Sequence, residues 1–231
     1  MAVIHNPNLV TDGLVSLWDA GNRKSYPAAG TAWTDLVGTA DATLTNGPTF
    51  SSANLGGLVL DATDEYFALP PLSFAADSDV TFCIWIKPTD WGGTTTSGFW
   101  RSGASGTGRY MLGIDDGVTL RGSPACKWRN VNLTIPSSGY VVPLDAWVYI
   151  VFVASYYSTT PILMYADGEL KHSIAKSGGN TEAFDIHEMG WNYNSTFTIF
   201  GEWAMPSFYN RLLSAEEIVQ NYNAMKGRFG L

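Results

Sequence analysis

The sequence predicts an all-β protein: a two-sheet antiparallel β-sandwich of the jelly-roll type, followed by one short C-terminal α-helix. Segments that alternate apolar and polar residues recur along the chain. Turn residues separate them about every eight to twelve positions, which is typical of a sandwich. There is no alternation of strands with helices, and this argues against a parallel α/β fold. The one clear helical pattern lies near the end of the chain.

The clearest strand is residues 80–87, whose even-numbered side chains are all apolar and whose odd-numbered side chains include Cys83 and Trp85. Bulk on both faces predicts a central strand that is covered on both sides. Pro88, which has no N–H to donate, predicts the end of this strand. Pro206 falls within the last predicted strand, and we expect an edge or a bulge there.

The helix is predicted to begin after Ser214, whose hydroxyl can accept a hydrogen bond from the N–H of Glu217. Glu217 stands three residues after Ser214 and completes a capping box, while Leu213 and Ile218 are spaced as a hydrophobic staple. Gly227 is predicted to end the helix in the left-handed conformation. Four side chains are predicted to form the apolar face that lies on the sandwich: Ile218, Val219, Tyr222 and Met225.

The composition disfavours nucleic-acid and membrane partners. The 231 residues carry a formal charge of −8, and only 15% of them are charged. Nucleic-acid recognition needs a basic surface, and an acidic surface is repelled by anionic membranes. No apolar run approaches the roughly 18 residues that span a bilayer. The first eight residues lack a basic region and an apolar core, so we expect no secretory leader and folding in the cytosol. A leader that is missing from this sequence is the alternative.

We predict an N-terminal arm at residues 1–12 and a single sandwich domain at residues 13–231, because no linker or charge block divides the chain. The arm is long enough to lie along a neighbouring subunit. Cys83 alternates within an apolar strand and is predicted to be a buried free thiol. A bridge to Cys126, the other cysteine of the chain, is the alternative that the sequence leaves open.

Several stretches resemble a known family. Residues 209–218 (Tyr-Asn-Arg-Leu-Leu-Ser-Ala-Glu-Glu-Ile) closely resemble the C-terminal signature of laminin-G-like domains of the concanavalin A-like lectin/glucanase superfamily. Residues 80–88 are similar to the family's Phe-Thr-x-Glu-x-Trp-x-Lys-Pro strand. The opening at 19–36 and the ending at 226–231 resemble versions found in tailed-phage virion proteins. The resemblance implies a concanavalin A-like sandwich from about residue 12 to the end.

The superfamily includes glucanases, whose carboxylates lie on one strand in the order Glu-x-Asp-x-x-Glu. Aligning Asp185 and Glu188 with that pattern puts Ala183 at the nucleophile position. Glu182 is one residue away, and on a strand a shift of one residue turns a side chain to the opposite face. No serine triad, phosphate loop or zinc spacing is found either. We therefore predict a protein that is not an enzyme and has no catalytic residues.

Calcium is the one cofactor that the resemblance raises, since many relatives bind one calcium ion at the rim of the sandwich. The family's Asp-x-Ser-Gly-Asn-Gly-Asn loop corresponds here to residues 35–41, which have lost the asparagines. Asp61, Asp64 and Glu65 form a second oxygen-rich turn. Calcium takes six to eight oxygen ligands, more than these side chains provide. We predict no cofactor and no metal ligand, with calcium as the alternative.

The candidate ligand-binding residues are aromatic and amide side chains in two predicted loops: Trp91, Trp191, Asn192, Tyr193 and Asn194. Aromatic faces can stack on sugar rings, and asparagine both donates and accepts hydrogen bonds. The alternative is that these rings fold back and cover the edge of the core, because large aromatic side chains are mostly buried.

The resemblance implies a non-enzymatic virion structural protein of a tailed phage, such as a capsid decoration or outer-surface subunit assembled in the host cytoplasm. Its expected partners are other virion proteins of the capsid or tail, and an oligomer is compatible with this role. The alternative is a carbohydrate-binding module of a tail adhesin that recognises a cell-surface glycan on the host. A bacterial protein outside any phage particle is a third hypothesis.

Overall fold

The computed structural model describes residues 7–62, 64–75, 78–91, 97–102, 110–115, 123–128, 131–134, 140–155, 160–175, 183–190 and 199–231. Over these ranges the chain forms sixteen strands, one α-helix and two 3₁₀ turns, Ala53–Leu55 and Lys226–Phe229. The strands are β1 (Leu14–Leu17), β2 (Ala32–Trp33), β3 (Ala42–Thr45), β4 (Thr49–Ser51), β5 (Gly57–Leu60), β6 (Tyr66–Phe74), β7 (Asp79–Asp90), β8 (Ser97–Ser102), β9 (Tyr110–Asp115), β10 (Ser123–Trp128), β11 (Val131–Thr134), β12 (Val148–Ser155), β13 (Ile162–Ala166), β14 (Glu169–Ile174), β15 (Phe184–Met189) and β16 (Phe200–Tyr209). The helix is α1 (Ala215–Met225).

The strands form two antiparallel sheets, which confirms the predicted fold class. Sheet I has the order β14-β13-β12-β7-β16-β5-β4, and β1 pairs with β16. Sheet II has the order β11-β10-β9-β8-β15-β6-β3-β2. Among the described residues, no helix is both long and apolar enough to cross a lipid bilayer.

Strand β7 is the central strand that the sequence predicts. It pairs with β12 on one side and β16 on the other. Phe82, Ile84 and Ile86 belong to the core between the two sheets. Cys83 and Trp85 belong to a second apolar cluster, which also contains residues of α1. Both faces are buried because one faces sheet II and the other faces the helix.

The prediction that Pro88 ends this strand is wrong, since β7 continues to Asp90. Pro88 lies opposite Gly201 next to a register shift, and Gly201 has a φ of 138°. A strand tolerates proline at such an irregularity, where a ladder hydrogen bond is missing in any case. The carbonyl of Pro88 accepts a hydrogen bond from the N–H of Asp145 over 2.7 Å.

The bulge expected at Pro206 is confirmed. The register between β16 and β7 shifts between Ala204 and Ser207, and Met205 has a φ of 52°. One extra residue reverses the side of the sheet on which the following side chains lie. Consequently Trp203 lies in the core between the sheets, whereas Tyr209 lies on the helix side of sheet I.

The start of α1 has the predicted capping box. The Ser214 hydroxyl accepts from the N–H of Glu217, and the Glu217 carboxylate accepts from the N–H of Ser214. Leu213 and Ile218, the predicted staple, are both buried in the second apolar cluster. The prediction for Gly227 is wrong, because a 3₁₀ turn follows the helix and Gly230 takes the left-handed conformation, with a φ of 79°.

The buried face of α1 differs from the prediction at two positions. Val219 is 40% exposed, so its assignment to the buried face is wrong. Asn221 is 1% exposed and takes part in the buried face together with Ile218. Tyr222 and Met225 are half-buried and pack against the same cluster, as expected.

Residues 8–12 contact the sandwich and its helix. Leu9 packs against the second apolar cluster and Val10 is buried in it. Gln220 donates to the Asn8 carbonyl over 2.8 Å, and Arg211 pairs with the Asp12 carboxylate over 2.9 Å. The boundary between an arm at 1–12 and a domain at 13–231 stays a prediction, but a chain cut after residue 12 loses these contacts.

Cys83 is a free buried thiol, as predicted. Burial raises the pKa of this thiol to about 12. Residue 126 lies in β10 of sheet II, whereas Cys83 lies in β7 of sheet I, with its side chain in the cluster beneath α1.

Candidate functional site

One end of the sandwich brings together the described residues that border the two predicted binding loops. Asp90, the last residue of β7, lies opposite Phe200, the first residue of β16. In sheet II, Gly190 follows β15 and donates its N–H to the Phe99 carbonyl of β8 over 3.0 Å. The connection 91–96 leads from β7 of sheet I to β8 of sheet II, and the connection 190–199 leads from β15 of sheet II back to β16 of sheet I. Both connections therefore start and finish at the same end of the sandwich.

Trp91 is half-buried at this end and packs against the core between the sheets. Its indole nitrogen donates to the Val142 carbonyl over 3.1 Å. The indole N–H is thus already used, and a ligand at Trp91 has only part of the ring face to contact. This position agrees in part with the alternative that the ring covers the edge of the core, and a binding role for Trp91 stays a prediction.

The four other candidate residues, Trp191, Asn192, Tyr193 and Asn194, lie outside the described residues, and their binding role also stays a prediction. The residue before them, Gly190, is buried with a φ of 86°. A Cβ at Gly190 would lie 2.6 Å from Cδ1 of Leu60. The positive φ therefore favours glycine here, and any other residue would also have to displace the end of the buried Leu60 side chain.

Residues 140–147, which no sequence pattern singles out, close the same end of the sandwich. Val142 is fully buried and supplies the carbonyl that holds Trp91. Tyr140 is half-buried, and the Lys171 ammonium lies 5.5 Å from the centre of its ring. The pKa of Tyr140 is raised, first by burial and then by the nearby charge of Asp167. The segment has no motif that distinguishes it from an ordinary turn.

A model of the Laminin_G_3 family, described as the concanavalin A-like lectin/glucanases superfamily, matches residues 61–219. The chain belongs to this family. The match covers β6 to β16 and the first turn of α1, and so includes Trp91 and residues 190–194. No curated sequence matches this laminin G-like chain.

Solved structures similar to this laminin G-like chain include a domain of a carbohydrate-active enzyme. Domain 4 of AbnA, a GH43 extracellular arabinanase from Geobacillus stearothermophilus in complex with arabinotriose, has a TM-score of 0.62 at 14% identity. That alignment covers 90% of this chain and 98% of the arabinanase domain.

Two further structures are much longer than this chain. Trypanosoma rangeli sialidase has a TM-score of 0.64 at 16% identity, over 98% of this chain and 37% of the sialidase. The binding domain of botulinum neurotoxin serotype D has a TM-score of 0.60 at 12% identity, over 91% of this chain and 50% of the toxin domain. At these identities the similarity shows the fold alone.

The strand that aligns with the glucanase motif is β15. Asp185 is half-buried opposite Ser73, and Glu188 is buried opposite Ala68, with a register shift between Ile186 and Glu188. Ala183, at the position of the nucleophile, is exposed just before the strand. A methyl group cannot attack an anomeric carbon, so this strand lacks one member of the pair that retaining hydrolysis requires. Glu182 lies outside the described residues.

Across the described ranges, no three His, Cys, Asp or Glu side chains are placed so that they could hold a metal ion. The two oxygen-rich turns that the sequence predicts, 35–41 and 61–65, belong to these ranges apart from residue 63. The carboxylates of Asp35 and Glu65 bind backbone amides of their own turns.

Proposed function

We propose that this laminin G-like chain is a non-catalytic carbohydrate-binding protein whose ligand binds at the end of the sandwich bordered by Trp91 and Gly190. One observation carries the proposal. The two predicted binding loops, one with Trp91 and one with further aromatic and amide residues, adjoin paired positions of the fold, Asp90 with Phe200 and Gly190 with Phe99. The described residues that border the two loops therefore lie at one end of the sandwich, although they are far apart in sequence.

The position of Trp91 determines which part of its side chain serves a ligand. Because the indole N–H is bonded to the Val142 carbonyl, Trp91 contributes an apolar face and no hydrogen bond to the sugar. Other groups then make the hydrogen bonds to sugar hydroxyls, and Asn192 and Asn194 are the predicted donors and acceptors. A site in which aromatic rings stack on the sugar and uncharged amides make the hydrogen bonds fits a neutral oligosaccharide.

The similar arabinanase domain suggests which ligand to test first. It was solved with arabinotriose, a short neutral oligosaccharide. A glycan array that includes arabinan and other plant and bacterial cell-surface oligosaccharides tests the proposal directly. We expect the wild-type chain to bind at least one neutral oligosaccharide, and Trp191→Ala to weaken that binding about fivefold or more. Loss of one stacked ring commonly costs more than about 1 kcal/mol.

Two variants separate binding from folding. Trp91→Phe keeps an aromatic ring against the core but removes the wider face and the hydrogen bond to the Val142 carbonyl, so its Tm is measured beside its binding. Leu231→Ala shortens an exposed apolar side chain at the other end of the sequence. We expect the first to weaken binding and the second to leave it unchanged. Unchanged binding in Trp191→Ala and Trp91→Phe would refute the proposed site, and release of reducing ends from laminarin or arabinan would refute the non-catalytic role.

A second candidate function is a structural subunit of a tailed-phage virion, on the capsid surface or in a tail adhesin. Its support is the resemblance of residues 19–36 and 226–231 to tailed-phage virion proteins. The partners in this case are other capsid or tail proteins, and assembly occurs in the host cytoplasm. If a tailed phage encodes this chain, mass spectrometry of its purified particles tests this role: a constant copy number per particle supports it, and absence from the particles refutes it.

A further inference from the structure

The Asp35 carboxylate, in the loop that resembles the family's calcium loop, is occupied by three backbone amides. Its Oδ1 accepts from the N–H of Leu17 and the N–H of Val37, each over 3.0 Å. Its Oδ2 accepts from the N–H of Ala40 over 3.3 Å. Asp35 is only 6% exposed. Three of its roughly four lone-pair directions are thus taken by backbone N–H groups.

The rest of the loop packs closely on this carboxylate and uses its second acidic side chain internally. A Cβ on Gly38 would lie 2.8 Å from Oδ2 of Asp35 and 2.6 Å from the Val15 carbonyl. Only glycine therefore lets the loop pass this close to the two oxygens. Asp41, the last position of the loop, uses its Oδ1 to accept from the N–H of Asp35 over 2.9 Å. Calcium needs six to eight oxygens at about 2.3–2.6 Å, and these residues do not fit it.

The second oxygen-rich turn has a similar construction. Glu65 is 4% exposed. Its Oε2 accepts from the N–H of Asp61 over 2.6 Å and from the N–H of Ala62 over 3.1 Å. Here too a buried carboxylate accepts hydrogen bonds from backbone amides of its own turn. The other two acidic residues, Asp61 and Asp64, are exposed.

We infer that Asp35 is an internal brace: its hydrogen bonds to backbone amides hold together the loop that a bound cation would otherwise hold. The chain therefore folds and binds its ligand without calcium. The brace joins β1, through Leu17, to the loop that covers Trp18. The Trp18 indole donates to the Ala40 carbonyl over 3.0 Å, and Ala40 is itself bonded to Asp35. The part of this inference that concerns ligand binding rests on the proposed function, whereas the part that concerns folding does not.

Thermal unfolding in excess calcium chloride and in EDTA tests the inference. We expect the Tm of the wild type to be the same in both solutions. Asp35→Asn replaces one acceptor oxygen with an NH₂ group that faces a backbone N–H, so we expect its Tm to fall by about 6 °C in both solutions. Asp41→Asn is the matched control, because its remaining oxygen can still accept from the N–H of Asp35, and its Tm should change little.

A calcium-dependent rise in the wild-type Tm that disappears in Asp35→Asn would overturn the inference, and so would an unchanged Tm in Asp35→Asn. If Asp35→Asn does not fold, the brace role is supported and the wild-type comparison alone decides the calcium question. Glycan binding in EDTA is a separate measurement. Loss of binding only in EDTA contradicts calcium independence, whereas absence of binding in both solutions contradicts the proposed function and leaves the thermal result standing.

Discussion

Asn221 of α1 donates from its amide to the phenol oxygen of Tyr209 in β16 over 3.1 Å, and both side chains are buried. Val10 completes the arrangement. Its N–H donates to the Asn221 side-chain oxygen over 2.8 Å, and its carbonyl accepts from the Tyr209 hydroxyl over 2.9 Å. This network ties the segment before β1, the helix and sheet I together at one buried point.

Replacing Asn221 with leucine should destabilise the fold by about 2 kcal/mol. The substitution leaves the Val10 N–H buried without its acceptor, and an unsatisfied buried donor costs about 1–3 kcal/mol. Urea unfolding followed by tryptophan fluorescence measures the change. Gln220→Ala is the control, since Gln220 holds only the Asn8 carbonyl at the surface and its loss should cost less than about 0.5 kcal/mol. Equal effects of the two substitutions would contradict the network.

The stability of the helix start should depend on acid through Glu217. Hydrogen bonds from the Arg211 side chain and the Ser214 backbone lower the pKa of Glu217 from 4.5 to about 2. A carboxyl group whose pKa is lower in the folded state stabilises it fully above the unfolded value and loses that contribution as the pH falls. The stability difference between wild type and Glu217→Gln should therefore shrink between pH 4.5 and about 2. Urea titrations measure the free energy of unfolding of both proteins. If the difference between them stays constant over this pH interval, the Arg211–Glu217 ion pair adds nothing to that free energy.

The local features of the helix could be predicted from the sequence, but its buried face could not. Ser214 and Glu217 form a capping box because both partners lie within one turn of each other. Asn221 is buried because Val10, 211 positions earlier, lies against it. The pattern of apolar side chains does not show that a polar residue is buried against so distant a segment. Val219 lies outside the i, i+3, i+4, i+7 positions that start at Ile218, so its apolar side chain alone misled the prediction.

The sheets show the same contrast between local and distant causes. The alternation at residues 80–87 predicts that β7 is central, since apolar bulk on both faces must be covered on both sides. The continuation of β7 beyond Pro88 depends on Gly201 in a partner strand, where a register shift accommodates the proline. At the candidate site, the loop composition indicates Trp91, but the bond from Trp91 to Val142 depends on a segment with no recognisable motif.

Cys83 should be unreactive in the native protein. Burial raises the pKa of its thiol to about 12, so almost no thiolate is present at neutral pH, and the thiolate is the reactive form. In a Cys126→Ser background, a disulfide reagent such as Ellman's should label no thiol in buffer and one thiol per chain in denaturant. Labelling of native Cys83 at the rate of a free thiol would show that the cluster beneath α1 opens readily.

Leu55 should tolerate glycine better than alanine. Its φ is 65°, in the left-handed region, and its side chain is 73% exposed. This conformation costs a residue with a Cβ about 1–2 kcal/mol, and it costs glycine much less. Leu55→Gly should therefore be more stable than Leu55→Ala in urea unfolding.

Leu170 is the matched position for this comparison, because it is 53% exposed but lies in strand β14. There the order should be the usual one, with alanine more stable than glycine. The same order at both positions would mean that the turn at residues 53–56 relaxes and carries no strain.

The most direct measurement of the proposed function is the response of the nine tryptophan indole N–H signals to an added oligosaccharide, followed by NMR on ¹⁵N-labelled protein. Trp18 and Trp203 donate to the carbonyls of Ala40 and Ile199 inside the core, so their signals should stay fixed. We predict saturable shifts of the Trp91 and Trp191 signals while the oligosaccharide remains uncleaved. Tight binding that shifts neither of these two signals, or cleavage of the ligand during the titration, would contradict the account.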